Sequence, residues 1–339
     1  MIKIREKADL KNYHTFGVPA IAEYLTEIHS IEEIREAIDY ARSHNLQLNV
    51  FGGGSNVLFK NNPQGLTVVN KITGIEVVQE TDKEVELSVG AGEIWHDFVL
   101  YCLDHKYYGI ENLSLIPGTV GAAPMQNIGA YGVEIKEVFK HLDAVHRETK
   151  ELERFNNEEC QFGYRTSVFK TSQRDNYIIA RVNFILSKVP APNISYGAIS
   201  NTLEEMGISS PTPRDVSNAV IQIRSSKLPD PKQIGNAGSF FKNPSIPSEE
   251  YARLKTKFPE IPGYSQPDET VKVPAGWLIE QCGWKGKKVG NTGAHKKQAL
   301  VLVNYGNAKG QEIYDLSEQI LKSVHDKFGI DLEREVNII

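Results

Sequence analysis

Cysteine is scarce in this 339-residue chain: Cys102, Cys160 and Cys282 are odd in number and widely scattered. No C-x-x-C pair occurs, so neither a zinc ribbon nor a redox dithiol is encoded, and the three read as structural thiols of a reducing cytoplasm. No apolar run is long enough to span a bilayer, and the N-terminal MIKIREKADL lacks the apolar core of a secretion signal. A cytoplasmic chain with no membrane partner is therefore expected. Basic excess is also missing. Lys and Arg number 38 against 43 Asp and Glu, a formal net charge of -5, which argues against nucleic acid as the main partner. There is no internal repeat and no low-complexity tract. Gly290 to Lys297 lacks Walker A spacing.

What is present is an ordinary globular composition, 40% hydrophobic, in a chain long enough for two or three domains of roughly 100–200 residues. Residues 30–43 predict an amphipathic helix with Ile31, Ile34, Ile38 and Ala41 on one face, opened by Ser30 and Glu33 as a capping box. LNVFGGGSNVLF predicts a strand, a glycine turn and a second strand. TVVNKITGIEVV and EVELSVGAG predict further strands, and Trp95 to His105 a helix. HLDAVHRETKELERF and YIIARVNFILS alternate like antiparallel strands, and Val189-Pro190-Ala191-Pro192 ends that region as a linker. Thr212-Pro213-Arg214-Asp215 opens a helix, with Val216, Val220 and Ile223 as its apolar stripe. Ile313, Leu316, Ile320, Val324 and Phe328 mark a last helix, stopped by Gly329, and a short strand around 335–339 closes the chain. Strands mixed with helices in this order imply an α+β fold rather than regular βαβ winding.

Two glycine-rich segments are candidates for binding. Gly52-Gly53-Gly54-Ser55-Asn56 lies between apolar strands; it fits either a plain tight turn or an anion-binding nest suited to a pyrophosphate. Ile116 to Gly132 is made of small residues for 17 positions with few charges, as expected of backbone laid against a large flat ligand, with Gln126 and Asn127 as hydrogen-bonding side chains. Gly90-Ala91-Gly92 begins like a dinucleotide fingerprint, but Trp95 stands where the third glycine belongs, which excludes that motif.

The second half carries polar candidates of weaker signal. Arg165 sits in the glycine-led turn Gly163-Tyr164-Arg165-Thr166-Ser167, and Arg224 and Lys227 lie near the end of the helix that Thr212 opens. In Gly238-Ser239-Phe240-Phe241 a serine stands between glycine and two aromatics, a setting for a hydroxyl in a dry site, or simply a turn. No G-x-S-x-G elbow supports a nucleophile there. Glu335, in a terminal strand, would ordinarily face solvent. The lysines 285, 287, 288, 296 and 297 read as a solvated face with some capacity for a diphosphate.

Taken together, FGGGSNVL, IPGTVGAAPMQNIGAYG, FGYRTSVFK, KLPDP, GNAGSFFKNP, AGWLIEQCGWKG and LEREV, in this order, closely resemble the UDP-N-acetylenolpyruvoylglucosamine reductase (UDP-N-acetylmuramate dehydrogenase) family over nearly the whole chain. The resemblance implies an α+β fold. A two-lobed FAD-binding domain of the vanillyl-alcohol-oxidase (PCMH) type would span residues 1–190, and an α+β substrate-binding domain residues 191–339. It implies non-covalent FAD and NADPH as co-substrate, in peptidoglycan precursor synthesis, with a monomer as the default. By matching segments, the cofactor would be held by Gly52, Gly53, Gly54, Ser55, Asn56, Val57, Pro117, Gly118, Thr119, Gly121, Ala122, Gln126, Asn127, Gly129 and Ala130. Ser239 would be the proton donor, with Arg165 and Glu335 stabilising the enol intermediate at the substrate carboxylate. Glu335 can do so only as a protonated or hydrogen-bonded group, so a raised pKa from burial is expected. Tyr131, Arg224, Lys227, Asn243 and Gln298 would hold the substrate, and Tyr196 would cover its diphosphate from a mobile loop that marks one subclass. His14-Thr15-Phe16 departs from the Asn-Thr-Phe of many relatives, which puts a cofactor-side contact in doubt. Two rival readings remain: an alcohol or hydroxy-acid oxidase on the same FAD domain, and a catalytically idle binding module.

Overall fold

The computed structural model describes residues 1–339, which pack as two compact units. The first comprises Met1–Ala8, Ala22–Gly54 and Pro63–Ser226, and the second Asp9–Ile21, Ser55–Asn62 and Lys227–Ile339.

The first unit contains two lobes, each with its own core. In one, the strands Ile21–Ile28, Leu66–Asn70 and Leu48–Phe51 pair in parallel, with Arg5–Asp9 at the edge. The helix Ile31–Ser43 bridges the first and last of these and buries Ile34, Ala37, Ile38 and Ala41 against Val68 and Ile28. Its start follows the expected cap with one change. Ser30 accepts the Glu33 N–H at 3.1 Å, but the Glu33 carboxylate takes the N–H of His29, one residue earlier than a capping box requires. The other lobe is a five-stranded antiparallel sheet in the order Leu152–Asn156, Phe139–His146, Tyr177–Ser187, Glu84–Gly90, Ile75–Glu80. The helix Trp95–Asp104 packs Trp95, Phe98, Val99 and Cys102 onto this sheet around Phe184.

Residues 191–226 pack with this first unit. The helices Gly197–Glu205 and Pro213–Lys227 join Ile199, Leu203, Val216, Val220 and Ile223 in one cluster, against which Tyr131 packs. Ser217 reaches Ser114 at 2.8 Å through their hydroxyls. Thr212 and Asp215 cap the second helix reciprocally, as its sequence predicts.

The second unit is built on an antiparallel sheet, Gly235–Ser239, Val301–Asn304, Thr292–Ala294, Lys288–Val289, backed by the helix Gly310–Phe328. That helix buries Ile313, Leu316, Ile320, Val324 and Phe328 and ends on Gly329 at φ 71°, the left-handed cap that glycine favours. The strand after the triple glycine, Val57–Leu58, is not a hairpin partner of Leu48–Phe51. It pairs in parallel with Asn337–Ile338 at the far end of the chain. Residues 9–21 join the same unit: the Asn236 N–H donates to Thr15 O, and Asn304 Nδ2 to Phe16 O at 3.0 Å. Short-range pattern reads two strands around a turn, but it carries no information about a partner nearly three hundred residues away.

Candidate functional site

In the first unit the two glycine-rich segments meet backbone to backbone. A Cβ at Gly52 would stand 2.1 Å from Thr119 Oγ1, and one at Gly53 would stand 3.2 Å from Gly118 Cα. No residue but glycine fits there without displacement. Gly54 and Gly118 have φ of 59° and 112°. Thr119 Oγ1 lies buried in this junction without a hydrogen-bond partner. A buried, unpaired hydroxyl costs roughly 1–3 kcal/mol, so it marks a place where an incoming acceptor, such as a phosphate oxygen, adds binding energy. The junction therefore fits the pyrophosphate of a dinucleotide such as FAD.

Gly90 and Gly92 serve another purpose. Side chains there would run into the backbone of Ile72 and Lys71 at 2.4 and 2.6 Å, while the Trp95 indole is buried and donates to Leu113 O at 2.9 Å. These are packing positions, in line with exclusion of the dinucleotide fingerprint. In the long loop, Pro117 and Ala122 are exposed, Gly121 and Ala130 are half-buried, and Gly121 abuts Ala91. Asn127 is fully buried at φ 45°. Its amide donates to Glu134 Oε2 at 2.9 Å and Gly163 O at 3.1 Å and accepts the Lys136 N–H at 3.2 Å. That side chain holds the loop together. Gln126 accepts from Lys170 Nζ at 3.2 Å.

A cationic cluster lies on the same unit. Arg165, at φ 54°, donates from Nη2 to Gly129 O at 2.7 Å. Arg224 donates from Nε to Leu115 O at 3.3 Å and hydrogen-bonds Tyr131. Burial lowers the Arg224 pKa, Tyr131 opposes the shift, and the nearby charge of Arg165 adds to it. Burial also raises the Tyr131 phenol, so that it stays protonated. Tyr196, half exposed at the start of its helix, meets Tyr131 edge-on with ring centroids 5.3 Å apart. The structure thus gathers Arg165, Arg224, Tyr131 and Tyr196: two cations and two phenols, the chemistry of an anion site.

The second unit holds Ser239 and Glu335. Ser239 projects from a bulge between Asn236 and Ser239, where Gly238 takes φ 68° and donates its N–H to Asn236 Oδ1 at 3.0 Å. The residue is exposed rather than enclosed. Phe240 and Phe241 are buried and anchor the bulge from below, Phe240 against Phe16. Residues 240–242 then pair with 333–335: the Glu335 N–H donates to Phe240 O at 2.8 Å, which fixes the half-buried Glu335 next in line to Ser239. Asn243 Oδ1 caps Ala275 at 3.0 Å, and Gln298 Oε1 accepts the Leu300 N–H at 3.3 Å. Lys227 is exposed at its helix end. Ser55, Asn56 and Val57 belong here too; Asn56 Nδ2 donates to Glu335 O at 3.1 Å. His14 is buried with Nε2 3.0 Å from Val18 O and its ring edge-on to Phe59. It is a core histidine of this unit.

Two residues escape the sequence reading. Asn112, buried, donates to Tyr131 O at 3.1 Å and Asn193 O at 3.0 Å, tying the tyrosine to the segment before Tyr196. His96 accepts the Leu115 N–H at 2.9 Å. The polar Asn112 and Ser114 inside the apolar run around Ile110 and Leu113 are the available signal; His96, in an ordinary helix start, offers none.

Residues 230–339 match the UDP-N-acetylenolpyruvoylglucosamine reductase C-terminal domain, and residues 22–153 an FAD binding domain. The chain is 50% identical to UDP-N-acetylenolpyruvoylglucosamine reductase of Pseudomonas savastanoi pv. phaseolicola over 337 residues, 99% of each chain. It is 49% identical to that of Flavobacterium johnsoniae over 339 residues, 100% of each. Among solved structures, UDP-N-acetylenolpyruvylglucosamine reductase of Thermus caldophilus superposes with a TM-score of 0.69 at 22% identity, covering 100% of this chain and 98% of that one. 6-Hydroxy-D-nicotine oxidase of Arthrobacter nicotinovorans does so with 0.56 at 12% identity, covering 98% and 87%. The expected fold, an α+β FAD-binding domain of the vanillyl-alcohol-oxidase type joined to a second α+β domain, accords with both likenesses.

Proposed function

The chain belongs to the UDP-N-acetylenolpyruvoylglucosamine reductase family, and from that premise we propose that it reduces UDP-N-acetylglucosamine enolpyruvate to UDP-N-acetylmuramate in the cytoplasm, as a monomer, at the expense of NADPH. The observation that carries this reading is identity near 50% along 99–100% of both chains, a span that includes every segment bearing a candidate residue.

Non-covalent FAD, when bound, supplies the hydride delivered to the enolpyruvyl β-carbon. Gly52–Gly54, Gly118 and Thr119, which meet in the glycine junction, would hold its pyrophosphate, with the otherwise unpaired Thr119 hydroxyl as donor. The neighbouring substrate carbon then carries enolate charge shared with the carboxylate. Arg165 meets that charge as a cation already fixed by Gly129 O and by its own left-handed backbone, so little reorganisation is needed as charge develops. Glu335 acts as a hydrogen-bond donor, since a bare carboxylate would repel the enolate. Ser239 delivers the proton to the enol carbon from its exposed position on the bulge. Arg224 and Tyr131 bind the diphosphate or carboxylate of the substrate, together with Lys227, Asn243 and Gln298, and Tyr196 covers the diphosphate.

The test is an anaerobic visible spectrum of purified protein, with NADPH and then the enolpyruvyl UDP-sugar added. A flavin band that bleaches with NADPH and returns with the UDP-sugar is the expected result. A band that bleaches and stays bleached would point to a different flavoenzyme on the same fold, and a protein colourless after FAD addition would sink the reading altogether.

A further inference from the structure

One strained residue links the flavin-side loop to Arg224, and an imidazole that the reaction scheme does not use holds it. Leu115 has φ 59°, a left-handed conformation that a bulky residue occupies only when its surroundings impose it. Its N–H donates to Nδ1 of His96 at 2.9 Å, and its carbonyl accepts the Nε–H of Arg224 at 3.3 Å. Ile116, Pro117, Gly118 and Thr119 follow directly, and Gly118 O accepts the N–H of Trp95, the neighbour of His96. The helix start that carries His96 therefore grips both ends of the four-residue stretch Leu115–Gly118.

We propose that His96 is a positioning residue for substrate binding: by accepting the Leu115 N–H it holds the strained peptide from which Arg224 is oriented on one side and the Ile116–Thr119 loop is presented on the other. The inference rests on the assignment of Arg224 to substrate made above.

The direction of the bond fixes the state of the ring. A nitrogen that accepts a backbone N–H carries no proton, so the imidazole is neutral with its hydrogen on Nε2. The surroundings agree. Burial lowers the basicity of His96; the charges that bear on it are Asp97 of its own helix, which opposes the shift, and Arg224 of the helix Pro213–Lys227, which reinforces it. Residues 112–119 bring no charge to the ring. With a folded-state pKa below the ordinary 6.5, the bond is intact above pH 6.5 and is lost as pH falls through the folded value. Protonation there sets two N–H groups against each other and adds a cation beside Arg224.

The experiment compares wild type with His96→Asn, whose Oδ1 takes the place of Nδ1 and does not titrate, and His96→Leu, which has no acceptor. KM for the UDP-sugar and kcat are measured from neutral pH to well below 6.5. His96→Leu is expected to raise KM about tenfold, the size of one lost hydrogen bond, with kcat moving less. His96→Asn is expected to restore KM to within about threefold and to abolish the acid rise in KM seen in wild type. An unmoved KM in the leucine variant, or an acid rise that persists in the asparagine variant, overturns the proposal; the second comparison stands even if the leucine variant does not fold. A nitrogen-15 spectrum of the histidines in FAD-loaded protein gives a readout independent of turnover. Unprotonated Nδ1 with protonated Nε2 at neutral pH is expected for His96, and the opposite tautomer overturns the proposal. The expected tautomer in a protein with no turnover on the UDP-sugar would remove the substrate role together with the proposed function.

Discussion

Replacing Thr119 by valine should move two measurements in opposite directions. The exchange keeps the shape of the side chain and swaps Oγ1, buried and unpartnered at the glycine junction, for a methyl group. Without ligand, the native residue leaves a hydroxyl desolvated with nothing to bond, at a cost of about 1–3 kcal/mol. Valine removes that cost, so the FAD-free protein should be more stable. At roughly 1 kcal/mol the gain in Tm is about 1–2 °C for a chain of this length. With FAD the sign reverses. A hydrogen bond to a charged phosphate contributes about 1.5–3 kcal/mol, so the Kd for FAD should rise some 10- to 150-fold. Thermal unfolding of the stripped protein gives the first quantity, and a titration following flavin fluorescence gives the second. An unchanged FAD affinity, or a stripped variant that melts lower than wild type, would refute the role given to this hydroxyl.

Further expectations follow from the same geometry. Gly52→Ala puts a Cβ 2.1 Å from Thr119 Oγ1, an overpacking that should cost about 1–3 kcal/mol and lower flavin occupancy in the purified protein; adding Thr119→Ala should recover part of the loss, and a fully occupied single variant would contradict it. Ser239→Ala should leave reduction of the flavin by NADPH intact and cripple its reoxidation by the UDP-sugar, whereas equal loss in both half-reactions would remove serine from the proton-donor role. Tyr196→Phe should weaken UDP-sugar binding, read by titration of the flavin spectrum, and an unchanged affinity counts against the covering role. Burial lowers the pKa of both His14 and His295, with Lys296 and Lys297 adding to the effect at His295. Both are therefore neutral when folded, and their contribution is present above pH 6.5 and lost as pH falls through their lowered values. His14→Asn should shrink the drop in urea midpoint between neutral and acid pH; an equal drop in the variant would show that His14 does not contribute.

Much of this was legible in the sequence because the signals are local. Ser30 and Gly329 end helices by their own backbone and side-chain chemistry, and the Val216, Val220 and Ile223 stripe shows at helical spacing which face is buried. The small-residue run around Gly118 shows itself as a place of close backbone approach. Illegible was anything set by distant pairing. The strand Val57–Leu58 is readable as a strand after a glycine turn, but its partner Asn337–Ile338 is not. Ser239 looks enclosed by Phe240 and Phe241 until the bulge is seen, with both aromatics buried and the serine exposed. The bonds of Asn127 to Glu134, Gly163 and Lys136 are likewise not written in its neighbours in sequence. Border residues 191–226 side with the first unit because Ser114 and Tyr131, far back in the chain, supply their partners.

The pairing of Val57–Leu58 with Asn337–Ile338 also has a history in time. The two strands are about 280 residues apart, and at ~5–20 residues per second a ribosome takes roughly 15–55 s to make what lies between them. Throughout that interval the nascent chain carries an apolar strand whose native neighbour does not yet exist, followed by the buried Phe59. Such an edge invites pairing with another copy of itself. Slowing elongation should therefore increase aggregation of this chain, whereas a permuted version that begins at residue 227 and joins the old termini would make both strands within one short stretch and shorten the exposure.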